Sequence, residues 1–371
     1  MKKSFMLVSS DFSTPHTSDP SSKLVVKELI QIWANRYKPK TRIYGRDLAI
    51  QMPIMSDTLA HVSSPAGRGE TAEKLHRTLI KLNCEFADAQ SRELHDYGPS
   101  TASANESKRI VQCTVEIYST LIDFYQRSST KAPQNSEANR DFLFAGFSVS
   151  DVMELTSSIE PLLLEYQNRH QISDDWSKLG FLTTHLNFSN AALLKNLTTV
   201  EQFFLEPYFK FVEEQVALPW ERICAAASTH QYASPAFQLV RYMLPEAEEI
   251  AHRVYLDLLK AFPRTTLQRG RLDHPGVKHS CLRDLNMFQG YLWLCVMQGS
   301  LASVEDELVR TCTMVMPRIG VPWEMILKWN EILMAEIMDR TLLSHQSFLE
   351  PYMDRFIQTF QQSKGQFSLE S

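Results

Sequence analysis

The sequence predicts an all-α protein, on three observations. Apolar residues recur at helical spacing through most of the chain. The period-two alternation of β-branched residues that marks strands is almost absent. Only 12 of the 371 residues are glycine, well below the average of about 7%. That scarcity argues against glycine-rich phosphate loops, turn-rich barrels and low-complexity disorder. The length allows about two domains at roughly 150 residues each. A chain with 44% hydrophobic and 22% charged residues can bury a sizeable core. The net charge of −5 offers no basic field to nucleic-acid phosphates. No apolar run approaches the roughly 18 residues of a membrane span. The start, Met1-Lys2-Lys3 and a short apolar stretch, lacks the apolar core of a secretory signal. The expectation is a soluble, cytoplasmic chain.

Taken in order, residues 1–22 are rich in Ser, Thr, Asp and Pro and read as a disordered lead-in. Leu24, Val25, Leu29, Ile32 and Trp33 predict a first helix, and Met55 to Ser64 a weaker one. Ser63 to Gly67 reads as a loop. Leu75, Leu79, Leu82, Phe86 and Leu94 predict a single helix from Glu70 to Leu94. Gly98-Pro99 breaks the pattern before a helix from Ile110 to Tyr125, and the polar stretch Arg127 to Ala138 reads as a boundary. Candidate helices follow at Phe142–Phe147, Val152–Tyr166, Phe181–Leu186 and Val200–Val216, the last with a start signal in Asn196 to Glu201, where a Thr precedes an acidic residue and an apolar run. Further candidates are Trp220–Ala227, Phe237–Met243, Pro245–Phe262, His274–Gly299, Val304–Pro317 and Trp323 to the tail. This gives an N-terminal helical domain over 23–135, a connecting helical unit over 136–200, a second domain over 201–362 and a flexible tail over 363–371. Phe204-Leu205-Glu206-Pro207-Tyr208 recurs as Phe348-Leu349-Glu350-Pro351-Tyr352. The echo reads either as duplication or as two helices that each begin near a proline.

Chemistry concentrates between Lys278 and Cys295. After Asp273 and Pro275, a helix-start pattern, the positions Cys281, Asp284, Phe288, Tyr291 and Cys295 fall on one continuous helical stripe. Leu282, Leu285, Leu292 and Val296 form a neighbouring stripe for the core. A thiol, a carboxylate and aromatic rings in line suit a long, flat ligand carrying N–H groups: the thiol can bond covalently and the carboxylate can accept hydrogen bonds or act as counter-ion. Arg283 and Lys278 can pair with ligand carboxylates. The plainer reading of the same letters is a buried cysteine and a solvated Arg-Asp pair. The other five cysteines read as buried, reduced thiols, and the scattered histidines have no metal-ligand spacing. Nothing in the sequence points to catalysis.

Cys281-Leu282-Arg283-Asp284 resembles the chromophore-binding signature of the phycobiliproteins. The resemblance continues upstream in Glu248 to Pro263 and downstream in Tyr291, Gly299 and Gly320-Val321-Pro322, without gaps, over about residues 200–360. It implies a globin-like helical domain preceded here by an additional helical domain. It also implies a bilin of the phycocyanobilin type held in thioether linkage at Cys281. Asp284 would bond the pyrrole nitrogens, and Arg283, with Lys278 as a weaker candidate, would bond a propionate. Tyr291 would pack near the pigment, and Trp323 would wall the pocket. Partners would be phycobilisome subunits, in an oligomer, at the cytoplasmic face of the thylakoid. Gly299-Ser300 and Gly290 depart from the family pattern, and residues 1–200 have no counterpart in an antenna subunit. A region of that size would disrupt or redirect ring stacking. Two roles follow: a pigment-bearing protein for light absorption, energy transfer or sensing, or a pigment-free docking or regulatory protein. A haem-binding sensor is a third, on fold analogy alone.

Overall fold

The computed structural model describes residues 20–39, 42–43, 46–47, 56–94, 104–128, 147–171 and 177–363. These are helical apart from two antiparallel hairpins of two-residue strands, β1–β2 (Arg42–Ile43, Arg46–Asp47) and β3–β4 (Thr266–Leu267, Gly270–Arg271). The all-α expectation holds. The hairpins are too short to show as alternation in the sequence. The lead-in predicted over 1–22 is corrected at its end, where Pro20 to Ser22 already belong to the first helix; its residues 1–19, residues 129–138 of the predicted boundary, residues 142–146 of the candidate helix Phe142–Phe147 and the tail beyond 363 lie outside the described residues.

The helices are α1 (Pro20–Asn35), α2 (Ser56–Ser63), α3 (Pro65–Lys74), α4 (Arg77–Leu94), α5 (Ala104–Arg127), α6 (Val149–Gln171), α7 (Ser177–Leu194) and α8 (Thr199–Ala217). They continue with α9 (Trp220–Ala227), α10 (Pro235–Met243), α11 (Ala247–Ala261), α12 (Pro275–Gln298), α13 (Val309–Val315), α14 (Trp323–Arg340) and α15 (Leu343–Gln362). Where caps were read correctly they work as local chemistry requires. At α8 the Thr198 hydroxyl accepts from the Glu201 N–H, and the Glu201 carboxylate accepts from the Thr198 N–H at 2.8 Å. This satisfies two donors that a helix start leaves open. At α12 Pro275 occupies the first turn, but the cap is His274, whose Nδ1 accepts from Gly276 N–H at 3.2 Å. Gly299 ends α12 in the left-handed region, φ 63°.

Four further expectations are corrected. Ser63 to Gly67 is not a loop: Ser64 caps α3 and Pro65 is in its first turn. Gly67 is there because a Cβ would lie 2.1 Å from the His61 carbonyl oxygen, so this glycine marks a close approach between α2 and α3. Glu70 to Leu94 is not one helix. The chain breaks at Leu75-His76, where the Leu75 N–H bonds to the Ala72 carbonyl and His76 Nδ1 accepts from the Leu79 N–H. The break resets the register, so α4 buries Ile80, Cys84, Ala87, Asp88 and Ser91. Leu82 and Phe86, predicted on the inner stripe, are 58% and 59% exposed. The segment from Trp323 also divides, at Thr341, whose hydroxyl bonds back to the Ile337 carbonyl at 2.8 Å. Pro207 and Pro351 of the repeated pentapeptide both lie inside helices, α8 and α15, each the same distance past its helix start, so neither copy begins a helix.

The buried apolar side chains form one connected cluster from Val25 to Phe360. Trp33 of α1 stacks between Trp220 of α9 (centroids 6.0 Å apart) and Phe211 of α8 (6.1 Å). Beside it Arg36 pairs with Glu214 at 2.8 Å. All six cysteines are free thiols. No helix among the described residues is long and apolar enough to cross a membrane.

Candidate functional site

The predicted stripe on α12 divides between a cavity and the core. Cys281, Asp284 and Tyr291 line a cavity of about 120 Å³, and Arg283 reaches it with its long side chain. Phe288 turns inward against Trp329 (5.2 Å) and Phe360 (5.3 Å), and Cys295 is fully buried away from the cavity. Leu285, Leu292 and Val296 are buried as expected. Lys278 stands off the cavity, its Nζ 5.6 Å from the Tyr255 ring centroid. Trp323 does not wall the cavity. It stacks on Phe360 at 6.0 Å, its indole N–H bonding the Phe360 carbonyl. The tryptophan at the cavity is Trp329 of α14, one and two-thirds turns further along. Its buried indole nitrogen has no hydrogen-bond partner among the described residues.

Outside α12 the cavity is lined by Leu94 of α4, Gly180, Thr183 and Thr184 of α7, and Val216 and Ala217 of α8. Gly180 permits a close approach: a Cβ there would sit 2.7 Å from a methyl of Val315. Apolar side chains from α13 and α14, among them Cys312, Val315 and Met325, complete the lining.

The charges are arranged around Glu213 of α8, whose side chain is 5% exposed. His279 Nε2 lies 2.9 and 3.0 Å from its two oxygens, Arg283 Nη1 is at 3.4 Å, and Asn190 donates at 3.3 Å. Burial works to raise the Glu213 pKa, but His279 and Arg283 outweigh it and hold the carboxyl down at about 2. The same carboxylate raises the pKa of His279. Arg283 also grips Asp284, with Nε at 2.8 Å and Nη2 at 2.7 Å from Oδ1. Burial still pushes the Asp284 carboxyl upward against that pull. Burial, helped by Asp284 and opposed by Arg283, pushes the Cys281 thiol up to about 12. Cys281 is therefore a protonated thiol at neutral pH and not a standing thiolate.

The sequence singled out Cys281, Arg283, Asp284 and Tyr291, which the structure brings to one cavity, but not Glu213, Arg269 or the lining residues of α7, and Trp329 reads from sequence as a core residue. Glu213-Glu214 carried a signal in retrospect, an acidic pair inside the apolar run from Phe203 to Val216. Arg269, in the β3–β4 turn, carried none.

Residues 221–360 match the family model described as Phycobilisome protein. The match begins at Glu221, the second residue of α9, and contains the whole of α12, α13 and α14, so the similarity covers the helix that carries Cys281, Arg283, Asp284 and Tyr291. No curated protein and no solved structure matches the chain.

Proposed function

We propose that residues 221–360 form a phycobiliprotein-type unit that carries a bilin at Cys281, associates with phycobilisome components at the thylakoid's cytoplasmic face, and absorbs, transfers or senses light without catalysing a reaction. One observation carries this reading: Cys281, Asp284 and Tyr291 of one helical stripe, with the long Arg283 side chain, reach the same cavity, and all four belong to the family-matched segment. The residues suit the pigment chemically. Trp329 offers an unmet N–H at the wall, and the lining is otherwise mostly apolar. A bilin would supply the conjugated chromophore, and Cys281 would hold it through a thioether, its S–H adding across a C=C of the ligand with no leaving group. Until then the thiol, pushed up to about 12, stays protonated at neutral pH. Asp284 would face the pyrrole nitrogens once Arg283 turns from it toward a ligand carboxylate, leaving Glu213 to His279. The volume is small for a four-ring ligand, since drug-sized ligands occupy about 300 Å³ or more, so loading must widen the cavity.

The test is co-production with phycocyanobilin, followed by zinc-enhanced fluorescence on a denaturing gel. Wild-type chain is expected to fluoresce and Cys281→Ala to be dark. A dark wild-type band overturns covalent attachment. The second reading, a pigment-free docking or regulatory protein, is favoured by the cavity volume and by the Asp284 carboxylate already held by Arg283. A stoichiometric visible band in protein from bilin-producing cells overturns it.

A further inference from the structure

Arg269 is the cation at the cavity that no carboxylate claims. It sits in the β3–β4 turn, lines the cavity and is half-buried. Its two hydrogen bonds both leave from Nη1, to Asn187 Oδ1 at 2.8 Å and to the Gly276 carbonyl at 3.3 Å. Nε and Nη2 have no acceptor, and no carboxylate pairs with the guanidinium, among the described residues. An arginine has five N–H donors in a fixed fork suited to a carboxylate, so most of this one's capacity is unspent. Burial and the neighbouring Arg283 both act against its charge, with Glu213 the one opposing influence.

The position is built. Gly276 leaves room for the guanidinium, since a Cβ there would lie 2.5 Å from Nε. The Phe188 ring lies under it, 4.3 Å from the guanidinium carbon. Phe188 and the buried Asn187 both belong to α7, outside the family-matched segment. Arg283, by contrast, is engaged by Asp284 and Glu213.

We propose that the ligand seat is composite: Arg269, held in place by Asn187 and Phe188 of α7, binds a carboxylate of the ligand, so that residues ahead of the family-matched segment complete the site. This rests on the pigment reading above and gives α7 a role in it. Arg269 would be the binding residue, and Asn187 and Phe188 positioning residues.

The experiment separates the carboxylate from the rest of the ligand. Full-length protein carrying Cys281→Ala, which makes binding reversible, is titrated with phycocyanobilin and with its dimethyl ester, following tryptophan fluorescence. Arg269→Gln is expected to weaken the free acid about tenfold or more, the scale of a hydrogen bond to a charged group, and to leave the ester unchanged. Arg269→Lys should restore part of the loss. Asn187→Ala should show the same selectivity at smaller size, which a merely structural defect would not. Equal losses for acid and ester, or none, overturn the composite seat while the pigment reading stands. If the parent chain binds neither form and wild-type protein takes up no pigment, both fall.

Discussion

Glu213 and Glu221 stand on either side of the Leu218-Pro219 link between α8 and α9, both almost fully buried, and burial treats them alike. Their surroundings do not. Glu213 faces His279 and Arg283 and is held down at about 2. Glu221 receives a hydrogen bond from the Gln215 amide and lies near a second carboxylate, Glu160. Burial first and Glu160 second push it up to about 8. Desolvation has the same sign at both, so the identity of the neighbour decides whether a buried carboxyl is an anion or an acid at neutral pH. The consequence is functional. Glu213 is an ionised anchor for the cations of the cavity wall, whereas Glu221 is a neutral group in the packing where the family-matched segment begins.

The largest test of this contrast is the shared cation. Arg283→Met keeps the side-chain stem and removes the guanidinium from both Asp284 and Glu213. Breaking a buried pair from one side costs about 3–5 kcal/mol, to be read as lost unfolding free energy in urea. A loss under about 1 kcal/mol would mean that the cluster is solvated and not buried.

Glu213→Gln tests the anion itself. A carboxyl depressed from 4.5 to about 2 contributes stability that is present above 4.5 and lost as the pH falls toward 2, roughly 3 kcal/mol in all. His279, with its pKa raised, works in the other direction: its share is complete below its usual 6.5 and fades as the pH rises. The half-exposed histidine contributes less because solvent screens it. The gap between wild type and Glu213→Gln should therefore peak between pH 4.5 and 6.5 and close toward pH 2. A gap that stays level through the acid range contradicts the assigned ionisation.

How far these centres were legible follows from what a sequence pattern carries. The spacing of Cys281, Asp284 and Tyr291 is a property of one helix, and it was read correctly because the periodicity of α12 holds without a break. The start of α8 was legible in Asn196 to Glu201 for the same reason: the partners that the structure shows, Thr198 and Glu201, are three residues apart. Glu213 was missed because its meaning lies in His279 and Arg283, on a helix far along the chain. Leu82 and Phe86 were misread because a break at Leu75-His76, made by backbone and imidazole hydrogen bonds, turned the next helix to another face. The family resemblance identified the α12 wall of the cavity and was silent on Gly180, Thr183 and Thr184, because residues 1–200 have no counterpart in the pattern it rests on. The contrast between Trp323 and Trp329 is of the same kind. The resemblance supplied the position after the Gly-Val-Pro turn, but the packing of Trp323 on Phe360 takes that ring into the core.

At neutral pH Glu221→Gln is expected to act with the opposite sign to Glu213→Gln, stabilising the protein where the other variant weakens it. A carboxyl whose folded pKa lies above its unfolded value lends stability that is complete below 4.5 and drains away as the pH rises toward 8. Glutamine cannot ionise, and its carbonyl oxygen can still accept from the Gln215 amide that Glu221 Oε1 now engages. The variant should therefore unfold at higher temperature than wild type at pH 8, by roughly 4 kcal/mol in stability if the whole shift is expressed, and the two should converge near pH 4.5. A surface glutamate would show no such trend, and an ion-paired one would show the reverse, as Glu213 does. If Glu221→Gln is the less stable protein at pH 8, a cation reaches Glu221, and the difference between the two glutamates is one of degree.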